Sequence, residues 1–347
     1  MAGDKTSSRV ASPQRRVPSA CRLGLSKLGA GKKDATLTRK NKLDISKKTF
    51  CHNGGKQMGC FHKGFPRLFI LFVVLAVALP RLDGSPLSIR LWGGMNYLLA
   101  KDVNDGNKGR NGAISYNARI TGYVASGQTK PIQIGNEFGG DLIIYFTPRI
   151  GLGFGAGYVR GREDSEITFS RGTYLLTMTS KPDMTAIPLR AGLFLNLPLG
   201  GRAYFNLNLG AGYYLSKYSY EWEIKGAGYW DDVVKITHKV SANGFGFHGG
   251  LGFELELAAN LALFIEGYGR SAKIGHFSGT VEKYYWEGWT YSGEGKLYAS
   301  DSRWGPDIFT QLDVRETAPS GPYVSNVREA TVDFSGVYAI AGIRIKF

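Results

Sequence analysis

From about residue 85 onward, apolar residues alternate with polar or small ones in segments of about 10 to 12 residues. The alternation is sharpest in GFGFHGGLGFELEL, residues 244–257. There Phe245, Phe247, Leu251, Phe253, Leu255 and Leu257 share one face with Gly249. His248, Glu254 and Glu256 share the other with four glycines. Successive side chains of a strand point to opposite faces, so the pattern predicts strands with one continuous apolar face. The same reading holds for IPLRAGLFLNLP (187–198), AYFNLNLGAGYY (203–214) and RIGLGFGAGY (149–158), whose second face is glycine from Gly151 to Gly157. With LSIRLWGGMNYL (87–98), EFGGDLIIYF (137–146), LALFIEGYGR (261–270) and GVYAIAGIRIKF (336–347), eight strands are predicted.

The connections alternate in length. Short turns follow the second, fourth and sixth strands, and long polar segments rich in Gly and Tyr follow the first, third, fifth and seventh. That asymmetry predicts an all-β fold, an eight-stranded antiparallel up-and-down meander with short turns at one end and long loops at the other. Closing it into a barrel leaves no unpaired edge.

Which face points outward decides the solvent. Eight strands enclose an interior just wide enough for side chains to fill. One face is Leu, Ile, Phe, Val and Ala on all eight strands. The other carries glycine with isolated charges: Arg90, Asp141, Arg190, Glu254, Glu266, Arg270 and Arg344. Single charges on many strands make a poor apolar core, but they can neutralise one another across a narrow lumen. The apolar face then points to lipid, which predicts a transmembrane β-barrel with a paired charge network inside.

Charge and the amino-terminal region sharpen this picture. The net charge of +15 is concentrated before residue 66, which holds 15 Lys and Arg against 3 acidic residues. From residue 84 onward the balance is 26 basic to 24 acidic, so the basic excess says little about partners of the folded body, and no nucleic-acid partner is expected. Residues 1–57 form a basic leader without hydrophobic periodicity, expected to be disordered or non-native. Met58 opens an export signal over 58–84: Lys63 and Arg67 are followed by LFILFVVLAVAL and a small-residue exit. The barrel is then expected over 85–347. Cys21, Cys51 and Cys60 all precede it, which disfavours a disulfide framework there. His238, His248 and His276 show no ligand-type spacing, and no metal or cofactor is expected.

On its strand count, its turn and loop asymmetry, and Phe347 with Ile345 and Ile343 at alternate positions before it, the chain resembles the small bacterial outer-membrane β-barrels. That family includes the transmembrane domain of outer-membrane protein A and the opacity-like porin superfamily. The resemblance implies a place in the bacterial outer membrane, with short periplasmic turns, long extracellular loops and lipid and lipopolysaccharide as neighbours. It also implies that Phe347, Ile345 and Ile343 form the signal read by the barrel-assembly machinery. One departure is that Tyr338 falls on the lumen face, where the family's signal has an aromatic on the face of the final Phe.

Such barrels host several functions. A structural or surface role is expected, with the Tyr- and Trp-rich segments 218–232 and 282–304 available to an extracellular ligand such as a sugar or a protein surface. Those residues equally fit an aromatic girdle or strands extended above the membrane. Lumen glycines leave room for the alternative, a narrow passive channel for small solutes. A lipid-modifying enzyme would need serine, histidine and a carboxylate together. His248, the one histidine in the predicted strands, has no serine two residues away, so no enzymatic activity is expected.

Overall fold

A computed structural model describes residues 87–227, 233–285 and 288–347. The expected leader at 1–57 and export signal at 58–84 lie outside the described residues. No described helix is long and apolar enough to cross a membrane. In chain order the elements are β1 (Leu87–Leu98), α1 (Lys101–Ile120), β2 (Val124–Gln128), β3 (Ile134–Tyr145), β4 (Ile150–Arg162), β5 (Ser165–Arg171), β6 (Tyr174–Gly200), β7 (Ala203–Ala227) and β8 (Val233–Ala258). They continue with β9 (Leu261–Ser271), β10 (Lys273–Ile274), β11 (Ser278–Tyr284), β12 (Thr290–Trp304), β13 (Asp307–Arg315), β14 (Val324–Glu329), β15 (Val332–Asp333) and β16 (Gly336–Lys346).

The eight strands expected from the alternation form a ring. β1, β3, β4, β6, β7, β8, β9 and β16 pair antiparallel in that order. β16 pairs back onto β1 from Ser88↔Lys346 to Leu98↔Gly336, and the Phe347 N–H donates to the Leu87 carbonyl at 2.9 Å. The sheet therefore has no free edge around the ring, which is what a polar backbone needs in hydrocarbon. Tyr338 is buried on the inner face, stacked on Tyr268 with ring centroids 4.7 Å apart, as its place in the alternation predicts.

The two ends differ as expected, but the long end is far more ordered than a set of loops. β6, β7 and β8 run for 27, 25 and 26 residues, more than twice what a bilayer needs. The segment 218–227, expected within a loop, is the upper part of β7, and only its tip at 228–232 lies outside the described residues. His238 likewise stands on β8, so His248 is not the only strand histidine.

Along these strands each face keeps its side, but the polarity of the two faces reverses. On β7, Phe205, Leu207, Leu209, Ala211, Tyr213 and Leu215 face out, over Tyr204, Asn206, Asn208 and glycines facing in. Two residues further the outer row becomes Lys217, Ser219, Glu221 and Glu223, while Tyr218, Tyr220 and Trp222 are buried inside. β8 changes in register with it, from Phe245 outside to Ser241, Lys239 and Thr237 outside with Val240, His238 and Ile236 within. The outward apolar row from Phe205 to Leu215 spans roughly 25 Å along the barrel axis at the usual rise and tilt, the height of a lipid-facing band. Below the switch the wall is built for lipid; above it, for water.

Above the switch, connecting segments replace the strands that have ended. β5 and then β2 pair beside the top of β6, while β11, β12 and β13 extend the sheet from the top of β8, with β14 also on β12. Helix α1 packs against this curved sheet, chiefly on β13. Its glycines recur at Gly106, Gly109 and Gly112. A methyl at Gly109 would collide with the Thr310 carbonyl, and one at Gly112 would lie 2.8 Å from the Phe309 ring, so glycine is what lets the helix lie against β13. Val103, Ile132, Phe169, Met178, Tyr218, Phe277, Leu297 and Phe334 join one apolar core here, which we call the cap.

Candidate functional site

The alternation that turns apolar residues outward turns the charged ones into the lumen, and register then decides who meets whom. Arg90 on β1 lies 2.7 Å from Glu266 on β9. Arg190 on β6 lies 2.9 Å from Asp141 on β3, and Arg344 on β16 lies 2.6 Å from Glu254 on β8. Arg270 on β9 lies 2.8 Å from Glu137 on β3. All seven residues singled out from sequence are thus in one lumen, and the carboxylate missed was Glu137. It has the inward parity of Asp141, four residues earlier on the same strand, which is the signal that could have found it.

Neutral donors and rings complete the network. Trp92 Nε1 donates to Asp141 at 3.1 Å, and Asn96 donates to Glu137 at 3.3 Å. Tyr268 donates its hydroxyl to Glu266 at 2.6 Å, and Asn206 bridges Glu254 and Glu266 at 3.3 and 3.2 Å. Arg344 also meets the Tyr145 hydroxyl and Ser88. The Arg90 guanidinium stacks 3.8 Å from the Phe264 ring centroid. Its approach to Glu266 is ionic rather than a directed hydrogen bond, since Nη2 has no acceptor in line. A side chain that met an open water-filled bore would be exposed. Arg90 is 1% exposed and Glu266 1%, and none of the eight paired residues exceeds 7%.

Two ion pairs hold the cap together. Asp102, at the start of α1, takes a two-pronged contact from Arg328 at 2.5 and 2.7 Å and the Thr331 N–H at 2.9 Å. Burial pushes the Asp102 carboxyl up, but Arg328 and Thr331 outweigh it and hold its pKa below the usual aspartate value. Further along α1, Arg110 donates to Asp313 and to the Leu312 carbonyl, both at 2.8 Å. Burial again raises Asp313, and Arg110, His238 and Lys283 bring it net downward.

The aromatic residues expected in loops divide between two places. Tyr218, Tyr220 and Trp222 are inside the cap, at most 4% exposed. Tyr284, Tyr285, Trp289 and Tyr291 stand exposed around the β11–β12 turn, Trp289 at 72%; Trp286 and Glu287 of that turn lie outside the described residues. The row of Phe347, Ile345 and Ile343 faces out on β16 beside β1. His248 is buried in the lumen, its ring centroid 6.5 Å from that of Tyr268, and its Nδ1 has no hydrogen-bond partner among the described residues. Among the described residues no group of three His, Cys, Asp or Glu is placed to hold a metal ion.

A family model agrees with this architecture. The family model described as an outer membrane protein beta-barrel domain matches residues 69–280. Among solved structures, the chain is similar to the outer membrane protein OprG from Pseudomonas aeruginosa, with 13% identity, a TM-score of 0.31, and coverage of 76% of this chain and 96% of that one. It is also similar to the outer membrane protease OmpT from Escherichia coli, with 9% identity, a TM-score of 0.23, and coverage of 78% and 99%. No curated protein matches the chain.

Proposed function

Since the chain belongs to the outer membrane β-barrel family and resides in the bacterial outer membrane, we propose that it is a closed surface barrel whose cap, rather than its lumen, does the work. The observation that carries this reading is the set of four Arg–carboxylate pairs crossing the lumen with no member more than 7% exposed. Opening a bore there would separate or rehydrate buried charges that now compensate one another. The apolar core of the cap lies above them, so a solute would have to pass two unrelated seals.

The cap's long walls raise its outer surface well clear of the lipid, and exposed Trp289 and Tyr291 offer rigid contact area to an extracellular ligand or protein. Within the same proposal, lipid and lipopolysaccharide surround the lower wall. The outward row Phe347, Ile345 and Ile343 is then the face read by the assembly machinery.

The alternative is a narrow passive channel. Planar-bilayer recording on the refolded protein separates the two. The closed barrel predicts no steady ohmic current, and a reproducible open level in the wild type would move the assignment to the channel.

A further inference from the structure

One cluster in the cap stands apart from the lumen network and shares only Tyr291 with the exposed turn. On the inner face, Trp222, Ile236, Lys283 and Tyr291 lie in one row across β7, β8, β11 and β12. His238 stands one step below, between Tyr220 and Val281. Arg110 reaches in from α1, with its guanidinium 5.6 Å from the Tyr220 ring and 5.9 Å from the Trp222 ring. Arg315 comes from the exposed side of β13, opposite the buried Leu312 and Val314, and lies 3.6 Å from Asp313.

Two features of this cluster point to a ligand. The first is its charge: among the described residues, Arg110, Lys283 and Arg315 stand near one carboxylate, Asp313, which Arg110 already engages. Lys283 is half-buried with no carboxylate within 4.0 Å among the described residues. Its ammonium is held below the ordinary lysine value by burial, and by Arg110 and Arg315 against the opposing pull of Asp313. The second is unused hydrogen-bonding capacity. His238 is 0% exposed with no partner for either ring nitrogen, and Trp222 is 4% exposed with no partner for its N–H. A buried N–H without an acceptor is costly, and so is an uncompensated cation; an anion in this place relieves both.

We propose that this inner corner of the cap binds a soluble phosphate monoester or inorganic phosphate. Among the described residues the cluster has an excess of two positive charges, which matches a group carrying about −1.5 to −2 at neutral pH. His238 and Trp222 form the floor and supply N–H donors. Lys283, Arg315 and the 54% exposed Tyr291 form the open side. The source is soluble rather than a lipid headgroup, because Lys283 pairs with Ile236, nine residues above Phe245 on β8. At the usual rise and tilt that is about 20 Å above the lipid-facing band. The inference rests on the reading of the cap as the working part. Lumen closure is measured by conductance and ligand binding by titration, so failure of one is distinguishable from failure of the other.

The test is calorimetric titration of the refolded full chain in detergent micelles with inorganic phosphate and with glycerol phosphate, at fixed ionic strength. We expect saturable binding with quenching or a shift of Trp222 fluorescence. Lys283→Gln, at a half-buried position, should keep the heat-modifiable folded form and weaken binding at least tenfold, and Arg315→Gln should weaken it in the same direction. Lys239→Gln, on the outer face of β8, should leave it unchanged. The proposal is overturned if the wild type shows no saturable phosphate binding, or if Lys283→Gln binds like the wild type. It is also overturned if Lys239→Gln loses as much, or if only phosphatidic acid vesicles bind.

Discussion

Arg90 and Arg344 are direct cross-strand neighbours on β1 and β16, yet each reaches past the other to a different carboxylate, Glu266 at 2.7 Å and Glu254 at 2.6 Å. Like charges side by side on a sheet repel. In this lumen the repulsion is removed because β9 and β8 deliver one acid to each guanidinium. Removing one acid should therefore cost more than its own contacts. Glu266→Gln leaves Arg90 buried and unpaired, at a cost on the order of 3–5 kcal/mol. The unfolding midpoint in lipid vesicles should fall accordingly, and Arg90→Met added to that variant should recover part of the loss. An unchanged midpoint in Glu266→Gln would show that Arg90 does not depend on it.

The reversal of polarity along β8 gives a second expectation. Phe247 faces out near the middle of the lipid band, beside Ala211 on β7, whereas Thr237 faces out above it. Phe247→Lys should destabilise the folded barrel by about 2–4 kcal/mol, as charges on the lipid face do near the midplane. Thr237→Lys should be close to neutral by the same unfolding assay. Equal effects at the two positions would contradict the placement of the band.

Asp102 ties the start of α1 to Arg328 and Thr331, and its carboxyl is held below the usual aspartate value. A depressed carboxylate contributes stability that is present above its unfolded pKa, about 4, and is lost as pH falls through the folded value. Hydrogen exchange of the α1 amides should be slow at neutral pH and accelerate only below about pH 4. In Asp102→Asn the helix should exchange faster already at pH 7, with a flatter acid dependence. Identical profiles for the two proteins would show that this contact does not hold the helix.

His238 should set a different acid limit. Burial, then Arg110 and Lys283, with Asp313 opposing, push its pKa down to about 3. The folded imidazole stays neutral while the unfolded one takes up a proton near pH 6.5, so the unfolded state binds more protons between the two values. Cap stability should thus decline as pH falls from about 6.5, well before Asp102 responds. His238→Phe should remove that upper limb from a pH series of Trp fluorescence melting curves. If the limb persists in the variant, another group is responsible.

How much of this was legible in the sequence depends on which physical signal each part leaves there. Strict alternation from Phe245 to Leu257 can only be a strand with two unlike faces, and eight such segments with unequal connections read as a closed barrel in lipid. The same parity marked Arg90, Asp141, Arg190, Glu254, Glu266, Arg270 and Arg344 as inward, because facing is a local property. Their partners were not legible. Arg90 and Glu266 are far apart in sequence and not even on adjacent strands, and only the stagger of the closed sheet brings them to one level. Helix α1 left a misleading signal, since a run with Gly106, Gly109 and Gly112 has poor intrinsic helix propensity. Packing on β13, which needs those glycines, overrides that preference. Tyr218, Tyr220 and Trp222 read as loop aromatics because their alternation runs opposite to that of Leu207 and Leu209 on the same strand. Which side of a strand is inside is constant in sequence, but which solvent lies outside changes with height. Only the folded barrel says where along β7 lipid gives way to water.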